Sequence, residues 1–89
     1  TAMDHAKPER VLLSFTPFQS QYILSQPLHH TQKLVKQNDL EVQVEIEVYI
    51  THELIMNILS FGAGVTVIEP GSLRETLKST IEIIRKNYE

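Results

Sequence analysis

Two adjacent histidines, His29 and His30, are the first residues in this 89-residue chain whose type could hold a metal ion. Neighbours on a strand point to opposite faces, so regular strand geometry cannot aim both rings at one ion. His5 and His52 stand at no ligand spacing from the pair, and the chain has no Cys to complete a site. The histidines therefore read as surface or hydrogen-bonded groups, and neither a metal nor another cofactor is expected. Glu41, Glu45 and Glu47 form an acidic row that could in principle supply acid and base carboxylates. On alternate strand positions such a row is better read as the solvated or partner-facing side of a sheet. Gly62-Ala-Gly64 invites comparison with a phosphate-cradling loop. Those loops precede a helix and use its free amides, whereas these glycines follow one. The serines at 14, 20, 25, 60, 72 and 79 follow no nucleophile signature. No enzyme is expected.

The elements that must position these residues are legible from periodicity and caps. Arg10–Phe15 reads as a strand with Val11, Leu13 and Phe15 on one face. Thr16-Pro-Phe-Gln19 is a helix start: Thr16 caps, Pro17 suits the first turn, and Gln19 stands where a capping box places it. Phe18 and Tyr22 share a face, and Pro27 ends the helix near Ser25. A second strand is expected over His30–Gln37, then a turn at Asn38-Asp39. In the strand Glu41–Ile50, Val42, Val44, Ile46, Val48 and Ile50 alternate strictly with polar positions, predicting one buried face. A two-residue turn at Asn38-Asp39 would set Lys36 opposite Glu41 and His30 opposite Glu47. Thr51 caps the next helix, whose stripe is Leu54, Ile55, Ile58, Leu59 and Phe61, and Gly62 ends it. A strand at Val65–Ile68 precedes a last helix, with Ser72-x-x-Glu75 as capping box and Leu73, Leu77, Ile81, Ile84 and Tyr88 inward.

The resulting order, β-α-β-β-α-β plus a C-terminal helix, predicts an α+β ferredoxin-like sandwich with its helices on one face of the sheet. Several apolar residues miss the expected core stripes. Leu34 and Ile68 fall on the polar side of their strands, Met56 and Ile83 lie off their helix stripes, and Tyr49 sits on the polar face of its strand. These five are the candidates for a docking surface.

Composition sets the outer bounds. A chain of this length makes one domain that buries roughly 60–70% of its unfolded surface. The apolar share is 42% and the charged share 21%, ordinary for a globular domain. Absence of Cys excludes a disulfide framework and suits a reducing cytoplasm. No apolar run is long enough to cross a membrane. The net charge of −3 argues against an independent grip on a phosphate backbone. Residues 1–9 lack a period and read as a linker or the tail of a preceding domain, with the folded domain over 10–89. The first residue is Thr1, not Met, which suggests a piece of something longer.

Five strings in order carry a resemblance: Phe15-Thr-Pro17, Pro27-Leu-His29-His-Thr31-Gln32, Leu59-Ser-Phe-Gly62, Val67-Ile-Glu-Pro70 and Leu73-Arg-Glu75. Together they resemble the C-terminal extension, or WCX domain, of WYL-domain transcription regulators, over residues 10–89. The resemblance implies a bacterial, cytoplasmic regulator with an N-terminal helix-turn-helix, a central WYL domain of Sm-like barrel type and this extension. It implies a ferredoxin-like fold, homodimerisation of the full-length regulator, contact with the preceding WYL domain, and response to a nucleic-acid or small-molecule effector. His29, Thr31 and Gln32 carry over as effector or inter-domain contacts. The family pattern commonly has an aromatic residue where Leu28 stands and often Pro where His30 stands. Neither the helix-turn-helix nor the WYL signature is present, so direct duplex binding is not expected of these residues. A free-standing small-molecule-binding regulatory domain on the same fold is the alternative.

Overall fold

The structure is a computed structural model that describes residues 7–89. The first six residues of the expected linker lie outside it. Seven elements follow one another: β1 (Glu9–Phe15), α1 (Pro17–Ser25), β2 (Lys33–Gln37), β3 (Val42–Val48), α2 (His52–Ser60), β4 (Val65–Glu69) and α3 (Gly71–Asn87). The sheet is antiparallel in the order β2-β3-β1-β4. Each βαβ pair is thus split by a strand of the other half, as in a ferredoxin-like sandwich. The expected fold class is the observed one.

Alternation decides which face is buried. Val11, Leu13 and Phe15 of β1 and Val42, Val44, Ile46 and Val48 of β3 all point into one core. Ile23 of α1, Leu54 and Ile58 of α2, and Leu73 and Leu77 of α3 close that core from the helix side. Phe15 and Phe61 meet edge to face with ring centroids 5.5 Å apart, joining the sheet to the end of α2. Caps fix where two helices begin. The Thr16 hydroxyl accepts from the Gln19 amide at 3.2 Å, and the Thr51 hydroxyl accepts from the Leu54 amide at 3.1 Å.

Gly62-Ala-Gly64 forms a single 3-10 turn between α2 and β4. Gly62 adopts φ +57, the left-handed conformation that glycine reaches without strain. Gly64 is closely packed rather than strained. A Cβ there would come within 3.0 Å of the Gln19 side chain, and its carbonyl accepts from the Thr16 amide at 3.0 Å. The Gly64 amide donates to Phe61, so this loop closes the helix and docks α1.

Three expectations need correction. The hairpin between β2 and β3 is wider than two residues. The Asn38 side chain accepts from the amides of Leu40 and Glu41 at 2.8 and 2.9 Å, and the Asn38 amide donates to the Glu41 carbonyl. Lys36 therefore faces Gln43 rather than Glu41, Lys33 faces Glu45, and His30 lies before the strand. Secondly, Ser72 does not cap α3. The helix opens at Gly71 behind Pro70, whose bond to Glu69 is cis, and no side chain caps it. Thirdly, the inward stripe of α3 stops at Leu77: Ile81, Ile84 and Tyr88 are exposed.

Candidate effector and docking sites

The connection from α1 to β2 carries the His29, Thr31 and Gln32 expected to contact an effector. Pro27 ends helical geometry, so the last carbonyls of α1 need partners from outside the helix. Gln32 provides one. Its Nε2 donates to the Ile23 carbonyl and its Oε1 accepts from the Leu28 amide, each at 3.0 Å. Thr31 joins the same loop to the sheet. Its hydroxyl oxygen accepts from the Glu47 amide at 2.9 Å and lies 3.3 Å from the Glu47 carbonyl. The pairing of Lys33 with Glu45 would next bring Thr31 opposite Glu47, and there the hydroxyl takes over from the backbone ladder.

His29 completes the clamp. Its Nδ1 accepts from the Thr31 amide at 3.2 Å and lies 2.7 Å from the Thr31 hydroxyl. An acceptor at Nδ1 assigns the ring proton to Nε2. The His29 and His30 rings lie 4.2 Å apart, tilted by 32°. Two shallow grooves adjoin them. One, of about 270 Å³, is lined by His29, Tyr49, Glu53 and Asn57; the other, of about 420 Å³, by His30, Glu47, Tyr49 and Pro8. Thr31 and Gln32 thus commit their polar atoms within the domain. His29 Nε2, His30 and Tyr49 are the groups this end of the sheet offers to a ligand.

The sheet face away from the helices is held by charge. Arg10 on β1 donates to Glu45 on β3 and, at 2.9 Å, to Glu69 on β4, bridging three strands. The hydrogen bond to Glu45, and then that to Glu69, raise the guanidinium above its ordinary value. The acidic row is accordingly broken up. Glu45 pairs with Arg10, Glu41 accepts from Gln43, and Lys33 stands opposite Glu45. Among the described residues no three His, Cys, Asp or Glu side chains are grouped as metal ligands.

The five docking candidates do not form one patch. Leu34 is exposed, but its partner Val44 is a buried core residue, so Leu34 lies on the helix side of edge strand β2 and not on the polar side expected for it. Ile68 is half-buried at a bulge in β4, the opposite edge of the sheet. Tyr49 follows β3 and Met56 is on α2, both exposed. Ile83, 63% exposed, is on the distal half of α3.

That distal half is the surface which sequence reasoning assigned to the core. Ile81, Ile84 and Tyr88 continue the spacing of Leu73 and Leu77 into solvent, at 52, 42 and 87% exposure. Length was the available signal. Seventeen helical residues extend about 25 Å, whereas the five residues of β4 extend about 17 Å. The helix outruns the strand it packs on. On α1, Phe18 and Tyr22 form a second exposed apolar pair, edge to face at 5.7 Å.

The family model of the WCX domain matches residues 7–84, most of the chain. The chain belongs to the WCX domain family. The match covers β1 through the greater part of α3, so the clamp and the start of the exposed stripe both fall inside this WCX domain. WCX domains are associated with WYL regulators. No curated protein matches the chain by sequence. Among the described residues no helix is long and apolar enough to cross a membrane.

Proposed function

We propose that this WCX domain is the C-terminal regulatory and dimerisation module of a bacterial, cytoplasmic WYL-type transcription regulator. The DNA-binding domain on which it acts lies outside these residues. The observation that carries the reading, beside the family, is the distal half of α3. A stripe of Ile81, Ile84 and Tyr88 at helical spacing, beyond the edge of the domain's own core, has the form of a surface completed by another domain or subunit.

The mechanism is conformational. An effector, nucleic acid or small molecule, that binds one arrangement of the dimer more tightly shifts the population toward it and so changes operator affinity elsewhere in the chain. DNA binding by the product of the complete reading frame, compared with that of the 89-residue chain, tests the reading. The complete product is expected to shift duplex DNA in a gel, and the isolated domain, with its net charge of −3, to leave it unshifted. A complete reading frame without a DNA-binding segment would instead mark a free-standing small-molecule-binding domain.

A further inference from the structure

A third groove lies away from the histidines, between α2, β4 and the middle of α3, and encloses about 250 Å³. Its apolar wall comes from all three elements: Ile58 from α2, Val67 from β4, and Leu77 and Ile81 from α3. Two charged side chains line it, Arg74 and Lys78, and both are cations. The contrast with the rest of the surface is sharp. The grooves at Arg10 and around the histidines each contain Glu45, Glu47 or Glu53, and the chain as a whole carries a net charge of −3. Only the α2–β4–α3 groove, of these four, combines an apolar floor with positive charge and no carboxylate.

The cations are placed differently. Arg74 donates through Nη1 to the Val67 carbonyl at 2.5 Å, which holds its guanidinium against the edge of β4. Lys78, one turn further along α3, is 73% exposed, and its ammonium lies 3.8 Å from Glu75. So loose an exposed pair holds the ammonium weakly and leaves it available to a stronger anion.

We propose that this groove binds a compact apolar monocarboxylate, an aryl or branched-alkyl acid, with its hydrocarbon against Ile58, Leu77 and Ile81 and its carboxylate at Lys78 and Arg74. Size sets the first part of that class. The volume is just below the usual range of about 300–1,000 Å³ for drug-sized ligands, so the groove has room for a ligand smaller than those, such as a single ring or short branched chain. Charge sets the second. An ammonium would meet two like charges, and a neutral amide would forgo the charge-assisted hydrogen bonds that a carboxylate accepts. The site adjoins the docking surface, because Ile81 both lines the groove and begins the exposed stripe of α3. As an effector site it rests on the regulatory reading, whereas as a binding site it stands on the groove alone.

Titration of the 89-residue chain with phenylacetate, phenylacetamide and phenethylamine, followed by backbone amide NMR shifts, tests the inference. Phenylacetate is expected to move the amides of Gly62, Val67 and Lys78 together, with phenylacetamide weaker by about fivefold or more and phenethylamine without effect. Lys78→Glu, at an exposed position, is expected to weaken phenylacetate by about tenfold with an unchanged spectrum elsewhere. Equal binding of all three probes, shifts that map outside the groove, or an unaltered affinity in Lys78→Glu would each overturn it. So would shifts of the same amides with protein concentration alone, which would mark the groove as filled by a second copy. A negative titration leaves the DNA-binding test of the regulatory reading untouched, so the two can fail separately.

Discussion

Gln32 holds the carbonyl of Ile23 with one end of its amide and the amide of Leu28 with the other, in a loop where both backbone groups would otherwise lack a protein partner. Thr31 does the same for Glu47 on β3. Their residue types suit ligand contact and a structural clamp equally, and their position before an edge strand is compatible with both. Sequence could therefore find the residues without separating the roles. What separates them is the register of β2 against β3, which carries Thr31 opposite Glu47. Gln32→Ala is expected to lower stability by about 1 kcal/mol, the net worth of hydrogen bonds in a half-buried loop, and Thr31→Val, whose bonds to Glu47 are exposed, by less. Urea unfolding midpoints check this, and values unchanged in both variants would show that the loop is held by something else. Arg10 behaves differently. It is an exposed cation whose ordinary value is raised by its two carboxylates, so the guanidinium stays charged throughout the neutral range and its share of the pairing is lost only as pH rises above the ordinary guanidinium range.

Elements that announce themselves through local chemistry were the readable ones. Thr16 and Thr51 cap the helices they were expected to cap, and β3 buries the alternate valines and Ile46 as its period demands. The errors have a common cause, a backbone event whose signal is shared by two geometries. Asn38-Asp39 suits a two-residue turn, but the Asn38 side chain takes up two amides and widens the hairpin, which changes every cross-strand partner of β2. Ser72 and Glu75 have capping-box spacing, yet the chain becomes helical at Gly71, two residues too early for that use. Gly62 is the position where backbone conformation alone is at stake, since a Cβ there would meet nothing within 4 Å. Gly62→Ala is accordingly expected to cost about 1–2 kcal/mol through its left-handed φ alone, read from thermal or urea unfolding. A neutral effect would mean that the turn can be rebuilt without it.

At the scale of the whole molecule the domain is a slab, 41 × 40 × 20 Å, with a radius of gyration of 13.7 Å where about 12 Å is expected for a compact chain of this length. One sheet covered on one face gives the thinness, and the far half of α3 is an apolar surface that the slab does not cover. The fold was legible because the strand period and helix caps fix the order of elements, and that order fixes the sheet. The exposure of the far half of α3 was not, because a helical stripe looks the same in sequence whether or not there is sheet left beneath it. Ile84 tests that surface without touching the carboxylate groove. Sedimentation equilibrium of the complete reading-frame product, wild type against Ile84→Glu, measures it directly. The wild type is expected to sediment as a dimer and the variant as a folded monomer; identical masses for the two would contradict the proposed role of α3 as an assembly surface.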